Sequence, residues 1–319
     1  MTNRRSAPPS PSASLLAGAL ALASCATATT RAVEGDVAKV LVTSDQENQL
    51  GLQLKTDLET KQGVVYLSDP EVVGYVRGVA DKVIQLGKRD RPDVTWQVYV
   101  IDDRKTVNAF ATPGGYLYVY RGLLEMAQNE AELAGVMAHE TGHVVARHAA
   151  RSLVATYGLE AVVGMATGDN PGLVTQLAAG IATKGLLLAH SREDETEADE
   201  YGARYAAGAG YDPHGLVTFF QRLMQQSGDT TGVLAYLSDH PATQDRIGHV
   251  NAYIAQQGLS GGTLGDASYA HIRQRLAALP TAVAGPVPVA GAAPAASLPP
   301  AAAPPPAAPP PAAPRPSTH

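Results

Sequence analysis

Apolar residues recur at helical spacing through most of the chain between residues 44 and 278. Leu50, Leu54 and Leu58 stand four residues apart, which predicts a helix over residues 44–58. Similar patterns predict helices over residues 70–86, 130–152, 191–207, 242–257 and 266–278, with one more opened by Pro213. The fold class that this pattern predicts is α+β and predominantly α-helical.

Short polar residues and glycine mark the predicted ends of two of these helices. Asp69 can cap the helix that has Pro70 at its first position, and Gly87 can end that helix. Asn129 can cap the next helix, which begins at Glu130, where the helix dipole favours an acidic residue. The helix after Asn129 is therefore predicted from its start signal as well as from its apolar spacing.

Three short segments between residues 96 and 120 have the pattern of strands. Residues 96–101 and 116–120 are rich in valine and tyrosine, residues 107–112 form an extended segment between them, and a Pro-Gly-Gly turn signal stands before the last segment. The three tyrosines of the last segment should share one face, with Leu117 and Val119 on the other. We therefore expect a small antiparallel sheet.

Residues 153–190 are rich in alanine, glycine and leucine and could be mistaken for a membrane span. Glu160, Asp169 and Lys184 interrupt this stretch and Pro171 breaks it, so no apolar run long enough to cross a membrane remains. We expect buried or partly buried helices here rather than a membrane anchor.

The first residues have the layout of a secretory signal. Arg4 and Arg5 give a positive start, residues 13–23 form a short apolar run, and small residues precede Cys25. The run is too short for a transmembrane helix. Because Cys25 is the only cysteine, no intramolecular disulfide can form.

The segment Leu-Ala-Ser-Cys that ends at Cys25 resembles the lipobox of bacterial lipoproteins, in which the cysteine is lipidated. The alternative is an ordinary signal peptide with an incidental cysteine. By the same resemblance, Ala26 favours the outer membrane of a Gram-negative cell. Residues 1–24 are thus predicted to be a lipoprotein signal peptide and residues 25–38 the lipidated cysteine and its tether, which places the protein in the periplasm, anchored to a membrane by lipid.

The remaining chain divides into a folded part and a tail. We predict a domain over residues 39–260, a C-terminal helix over residues 261–279 and a disordered tail over residues 280–319, which holds 14 of the 23 prolines and cannot bury a core. The net charge of −6 and the lack of any run of lysine and arginine give nucleic-acid binding no electrostatic support.

The strongest chemical motif is His139-Glu140-Thr141-Gly142-His143. Two histidines four residues apart on a helix point the same way, so their imidazoles can bind one Zn²⁺. Glu140 lies beside the first histidine, where it can act as general base on a water molecule that the metal activates. The alternative is a chance match on a surface helix, because the motif is short.

A third metal ligand must come from elsewhere in the chain. Positions 146 and 149 are alanines, so the pattern that adds a third histidine is absent. An acidic segment offers Glu193, Glu195, Glu197 and Glu200, and the alternative is that it forms only a solvated helix face. Glu195 and Asp199 stand at i and i+4, so Glu195 can bind the metal while Asp199 orients a histidine.

The combination of HExxH at 139–143 with Ser-Arg-x-x-Glu-x-Glu-Ala-Asp at 191–199 resembles the zinc metallopeptidase family of the CAAX prenyl endopeptidase, in its soluble periplasmic lipoprotein branch. The resemblance covers about residues 40–255 and extends to the segments at 108–115, 122–124 and 239–247. It implies a gluzincin-type fold with one Zn²⁺ per chain, for which the first glutamate of Glu-x-x-x-Asp, Glu195, is the third ligand.

The same resemblance implies what the protein acts on. In this branch the substrates are polypeptides, namely misfolded or unassembled proteins of the cell envelope. Some relatives carry transmembrane spans or a helical-repeat domain after the peptidase, and neither is evident here. We therefore expect neither a prenylated substrate nor a partner bound through repeats.

His240 and Arg246 are further candidates for the site. Either can donate to the oxyanion, or His240 can occupy the open zinc position at rest; the alternative is loop structure with Arg246 paired to a carboxylate. Asn108, Ala109 and Phe110 can form an edge strand that binds substrate by main-chain pairing, or a plain core hairpin. The other histidines without a partner at ligand spacing are expected to be structural or surface residues: His148, His190, His214 and His249.

Two functions are compatible with these features. The leading hypothesis is an endopeptidase, and the rival is a zinc-stabilised, chaperone-like binding module with little or no hydrolysis. Glu140 favours the enzyme, because a purely structural site needs no acid there and normally has four protein ligands. His240 as a permanent fourth ligand would favour the rival.

Overall fold

The computed structural model describes residues 42–184, 190–226, 236–238, 240–241 and 244–280. The helices are α1 (Ser44–Thr60), α2 (Pro70–Asp90), α3 (Arg121–Met126), α4 (Glu130–Val145), α5 (His148–Tyr157), α6 (Leu159–Thr167), α7 (Pro171–Lys184), α8 (Arg192–Gly208), α9 (Gly215–Gln226), α10 (Gln244–Gln256) and α11 (Asp266–Ala278). The strands are β1 (Gln97–Ile101), β2 (Ala109–Thr112) and β3 (Tyr116–Tyr120). The predominantly helical α+β class is confirmed, while the predicted signal peptide, Cys25 with its predicted tether and residues 281–319 of the predicted tail lie outside the described residues.

Two of the predicted helix ends are confirmed and one is wrong. The Asp69 carboxylate accepts a hydrogen bond from the Val72 N–H at 3.0 Å, and Asn129 accepts one from Glu132 at 2.9 Å. Gly87 does not end α2, which continues to Asp90. A Cβ at Gly87 would lie 2.6 Å from the Thr141 side chain, so the glycine serves close packing between α2 and α4.

The sheet is mixed, so the prediction of a purely antiparallel sheet is wrong. The strand order is β1-β3-β2, with β2 antiparallel and β1 parallel to β3. After β1 the chain crosses to the opposite edge of the sheet, where it forms β2. The turn at 113–115 then reverses the chain, so β3 lies between β1 and β2 and runs parallel to β1. Strands β2 and β3 form an antiparallel hairpin across the turn at 113–115, and β2 is at the same time an edge strand.

The two faces of β3 contribute to two hydrophobic cores. Leu117 and Val119 belong to the larger core, with residues of α2, α4, α9, α10 and α11. The three tyrosines belong to a second core with residues of α1, α6 and α7, where the ring of Tyr118 stacks on Phe110 with centroids 4.6 Å apart. The predicted alternation along β3 is therefore confirmed.

Helices α4 and α8 approach each other closely because glycines line their contact. A Cβ at Gly142 would lie 2.7 Å from the Cβ of Tyr201, and one at Gly202 would lie 3.4 Å from the His139 backbone. This contact holds the acidic first turns of α8 against the motif on α4.

Helix α4 ends earlier than predicted. Its last residue is Val145, and Arg147 adopts a left-handed conformation with φ of 61° before α5 begins at His148. The Arg147 guanidinium pairs with Glu47 at 3.1 Å and donates to the Val42 carbonyl, which helps to offset the cost of that conformation. The prediction of one continuous helix to residue 152 is wrong, since the chain turns at Arg147.

The C-terminal helix α11 packs into the larger core through Tyr269, Ile272 and Leu276. Arg121 is fully buried beneath the end of α11 and donates to the carbonyl oxygens of Leu276 and Leu279 at 2.6 and 2.9 Å.

None of the helices within the described ranges is long and apolar enough to cross a membrane.

Candidate metal centre

Helix α4 places His139 and His143 side by side in the interior. Their Nε2 atoms lie 3.0 Å apart, and the two residues are 0% and 3% exposed. Every residue of α4 from Glu130 to Val144 is buried, so packing on all sides of the helix holds the two imidazoles in place. Two imidazoles with their ring nitrogens turned towards one point can share a metal ion.

Helix α8 brings Glu195 to these two histidines. Ser191 caps α8 in a reciprocal capping box with Asp194, which fixes where the helix begins. Glu195 Oε1 lies 3.5 Å from His143 Nε2, and Oε2 lies 3.6 Å from His139 Nε2. The other acidic candidates line a depression at the surface: Glu193, Glu197 and Glu200.

His240 reaches the same cluster from the loop before α10. Its Nδ1 lies 3.3 Å from His139 Nε2 and 3.0 Å from Glu195 Oε1, and its Nε2 lies 3.5 Å from Glu140 Oε1. The ligand atoms of four buried residues lie within 4.8 Å of one another: His139, His143, Glu195 and His240. His240 therefore contacts both the ligand set and the candidate general base.

Asp199 and Arg246 lie behind the cluster. Asp199 Oδ1 is 3.0 Å from His139 Nδ1, the ring nitrogen opposite the one that faces the cluster. Arg246 donates to both oxygens of Asp199 at 2.8 and 2.7 Å, and its Nη1 lies 2.7 Å from Glu195 Oε2. The sequence left open whether Arg246 donates to the oxyanion or pairs with a carboxylate. In the structure Arg246 pairs with the carboxylates of Asp199 and Glu195.

Burial and neighbouring charges set the protonation of the cluster. Burial lowers the pKa of His139, and burial together with the surrounding histidines lowers the pKa of His143 well below its usual value. Burial is the largest single influence and acts to raise the pKa of both carboxyls, but neighbouring hydrogen-bond donors and positive charges together outweigh it, led by His240 at Glu195 and by Arg246 at Asp199, so both pKa values are lowered. The imidazoles of His139 and His143 are therefore held neutral beside ionised carboxylates.

This donor set fits a divalent metal ion of the zinc type. Such an ion binds imidazole nitrogen and carboxylate oxygen, and it requires the histidines neutral and the carboxylate ionised. Asp199 can accept a hydrogen bond from His139 Nδ1, which fixes the tautomer that leaves a lone pair on Nε2. The described residues can therefore hold one metal ion.

The predicted substrate strand lies at the sheet edge nearest this cluster. Asn108, Ala109 and Phe110 are all buried, so their side chains pack inside the protein. The Tyr120 N–H donates to the Asn108 carbonyl at 2.9 Å, so by antiparallel alternation the main chain of Ala111 faces outward from edge strand β2. Ala111 lines the same cleft as His143.

Two histidines that were expected to be structural also reach the cluster. His148 is fully buried, with its Nδ1 2.8 Å from His143 Nδ1. The His190 ring stacks on that of His143, with centroids 4.1 Å apart. Sequence spacing did not find His148 because on one continuous helix it would lie about 140° around the axis from His143. His214 and His249 lie at the surface, as expected.

Comparison with known proteins gives several matches to this region. The family model described as Peptidase family M48 matches residues 70–254. Mitochondrial metalloendopeptidase OMA1 of Schizosaccharomyces pombe is 36% identical over 182 residues, which cover 57% of this chain and 53% of the relative.

Two bacterial proteins are similar over comparable lengths. The putative beta-barrel assembly-enhancing protease of Vibrio cholerae is 32% identical over 222 residues, 67% of this chain and 45% of the relative. Metalloprotease YcaL of Escherichia coli is 32% identical over 166 residues, 51% of this chain and 63% of the relative. The chain spans about half the length of the curated relatives it matches.

Proposed function

Since the chain belongs to Peptidase family M48, whose model matches more than half of it, we propose that it is a zinc-dependent endopeptidase that hydrolyses peptide bonds within polypeptides. The family match confirms the expected metallopeptidase family. Because M48 metallopeptidases use zinc, it also confirms the expected cofactor. The finer resemblance, to the CAAX prenyl endopeptidase and its lipoprotein branch, stays a prediction. The observation that carries the proposal is the convergence of His139, His143 and Glu195 beside Glu140.

In this proposal His139, His143 and Glu195 hold the zinc ion. When bound, zinc makes a water molecule more acidic and polarises the carbonyl of the peptide bond. Asp199 orients His139, and the ion pairs of Arg246 hold Asp199 and Glu195 in place. Arg246 thus acts as a positioning residue and not on the oxyanion.

Glu140 supplies the base. It follows His139 on α4, is 1% exposed, and has its Oε1 3.5 Å from His240 Nε2. Its carboxylate accepts a proton from the attacking water while the water oxygen bonds to the carbonyl carbon, and gives that proton to the leaving nitrogen as the C–N bond breaks. Water thereby supplies the new oxygen of the acid product and the new hydrogen of the amine.

The free edge of β2 binds the substrate main chain. The outward N–H and C=O groups of Ala111, beside His143, can pair with an extended peptide as an added strand. Recognition through main-chain groups tolerates many side chains, which suits an enzyme that cleaves proteins of varied sequence. Asn108, Ala109 and Phe110 then support the strand from within and do not contact the substrate side chains.

The second candidate function is a binding module that zinc merely stabilises. It is favoured by the position of His240, which completes a set of four ligand atoms, the number found in closed structural sites. In the endopeptidase, His240 would instead lie against the ligand set only at rest and would give way to the substrate.

Zinc content and casein cleavage test these alternatives in the wild type, Glu140→Gln and His240→Ala. We expect Glu140→Gln to keep its zinc and lose about 10²-fold or more of its activity, as removal of a general base does. His240→Ala should keep zinc on three ligands and remain active. The exposed substitution Glu193→Gln is the matched control. Equal cleavage by wild type and Glu140→Gln would defeat the endopeptidase, and loss of zinc from His240→Ala would favour the binding module.

We further propose that the protein works in the cell envelope, anchored in the periplasm to the outer membrane by a lipid on Cys25, and cleaves misfolded or unassembled envelope proteins. The signal-like first residues support this location, and so does similarity to a protein named beta-barrel assembly-enhancing protease. Labelling with a radioactive fatty acid tests the anchor. Cys25→Ser should lose both the label and the association with membranes, and a labelled variant would refute the proposal.

A further inference from the structure

We propose that His148 is a positioning residue that holds the metal ligand His143 in the tautomer and orientation needed to bind zinc. This inference rests on the proposed function, because it assumes that His143 binds the metal through Nε2. The motif at 139–143 does not include His148, and nothing in its spacing marks it as part of the site.

The contact between the two rings has a defined direction. His143 Nδ1 and His148 Nδ1 lie 2.8 Å apart, a hydrogen-bond distance that requires a proton on one nitrogen and a lone pair on the other. When His143 binds the metal through its Nε2, which faces His139 and Glu195, that nitrogen supplies its lone pair, so Nδ1 carries the proton of the neutral ring. His148 Nδ1 is therefore the acceptor.

The other nitrogen of His148 completes the chain. With Nδ1 as acceptor, Nε2 carries the proton, and it lies 3.1 Å from Glu197 Oε2 and 3.4 Å from Asp194 Oδ1. Carboxylate oxygens only accept, so they select this tautomer of His148. Arg151 Nη2 pairs with Asp194 at 2.7 Å and with Glu197 at 3.4 Å, and holds both carboxylates beside the ring.

The turn at Arg147 makes this arrangement possible. The left-handed residue breaks the helix between His143 and His148, so the second ring folds back and meets the first at 75°, with centroids 4.8 Å apart. His148 is 0% exposed, so solvent does not compete for its contact with His143. The result on the His143 side matches what Asp199 provides for His139: an acceptor on the nitrogen that points away from the metal.

Zinc affinity tests the inference, measured by competition with a chromogenic chelator on the purified protein. His148→Phe keeps a ring but offers no acceptor, and should weaken zinc binding about tenfold to hundredfold. His148→Asn places an amide oxygen near the position of Nδ1 and should recover most of that loss. His249→Phe, at the surface, is the matched control and should bind as the wild type does.

Two results would overturn the inference: wild-type affinity in His148→Phe, or equal weakening by phenylalanine and asparagine, which indicates a packing role alone. If the wild type itself binds no zinc, the proposed function fails. If the wild type binds zinc and His148→Phe binds it equally well, only the present inference fails.

Nitrogen NMR of the zinc-loaded wild type, with labelled histidine, gives a readout that needs no variant to fold. We expect His143 to carry its proton on Nδ1 and His148 to carry its proton on Nε2. A proton on Nδ1 of His148 would overturn the inference, because both nitrogens at the contact would then be donors.

Discussion

The two histidines of α4 are one helical turn apart, yet the groups behind them differ. His139 faces Asp199, a fully buried carboxylate that Arg246 pairs with from the other side. His143 faces the imidazole of His148, and the carboxylates that follow are near the surface, with the Asp194 and Glu197 side chains 17% and 41% exposed.

This difference separates two ways of orienting a metal ligand. Behind His139 the charges are in the interior, where attraction is strong and an unpaired charge is costly. Behind His143 the charges are at the surface, where water screens them. We therefore expect changes on the His139 side to cost stability as well as metal affinity, and changes at the carboxylates on the His143 side to cost little of either.

Asp199→Asn should have the largest effect. It removes a buried charge and leaves Arg246 with Glu195 as its remaining ionised partner in the cluster, so we expect the metal-free protein to lose ~3 kcal/mol of unfolding free energy. Zinc affinity should fall about hundredfold, because His139 loses the acceptor that orients it. Urea unfolding and chelator competition measure the two effects, with exposed Asp245→Asn as control. A variant as stable as the wild type would contradict the comparison.

Acidification of the metal-free protein should produce a gradual, two-step loss of stability. The pKa values of His139 and His143 are lowered in the folded state, so below about pH 6.5 the unfolded chain binds protons that the folded chain does not. The free energy of unfolding should therefore fall with pH, by at most ~1.4 kcal/mol per pH unit for each histidine.

The second step belongs to the carboxylates. The pKa values of Asp199 and Glu195 are also lowered, so their contribution is present above the unfolded pKa of about 4 and is lost as pH falls further. Urea unfolding across this pH range, with a chelator present, measures both steps. The second should shrink in Asp199→Asn, and a stability that does not change between about pH 8 and pH 5 would rule out the first.

Glu197→Gln should have the smallest effect. Its side chain is partly exposed, the amide oxygen can still accept from His148, and Asp194 remains nearby. We expect a loss within about 1 kcal/mol of stability and a change in zinc affinity of no more than a few fold. If this variant costs as much as Asp199→Asn, the distinction between the two sides does not hold.

The features that the sequence by itself determined are local ones. His139, Glu140 and His143 are placed by the repeat of one helix, and Glu195 and Asp199 share a face of another for the same reason. Helix caps at Asp69 and Asn129 depend on hydrogen bonds that span three residues, so they too follow from composition and spacing.

The tertiary structure alone decided the contacts between elements. It paired Arg246 with Asp199 and Glu195, set β1 parallel to β3, and used Gly87 for packing instead of helix termination. It also turned the chain at Arg147, so that His148 meets His143. These outcomes depend on which surfaces meet across long separations in sequence, or on a break in a regular repeat. A periodic pattern cannot specify such features, because it assumes that the repeat continues.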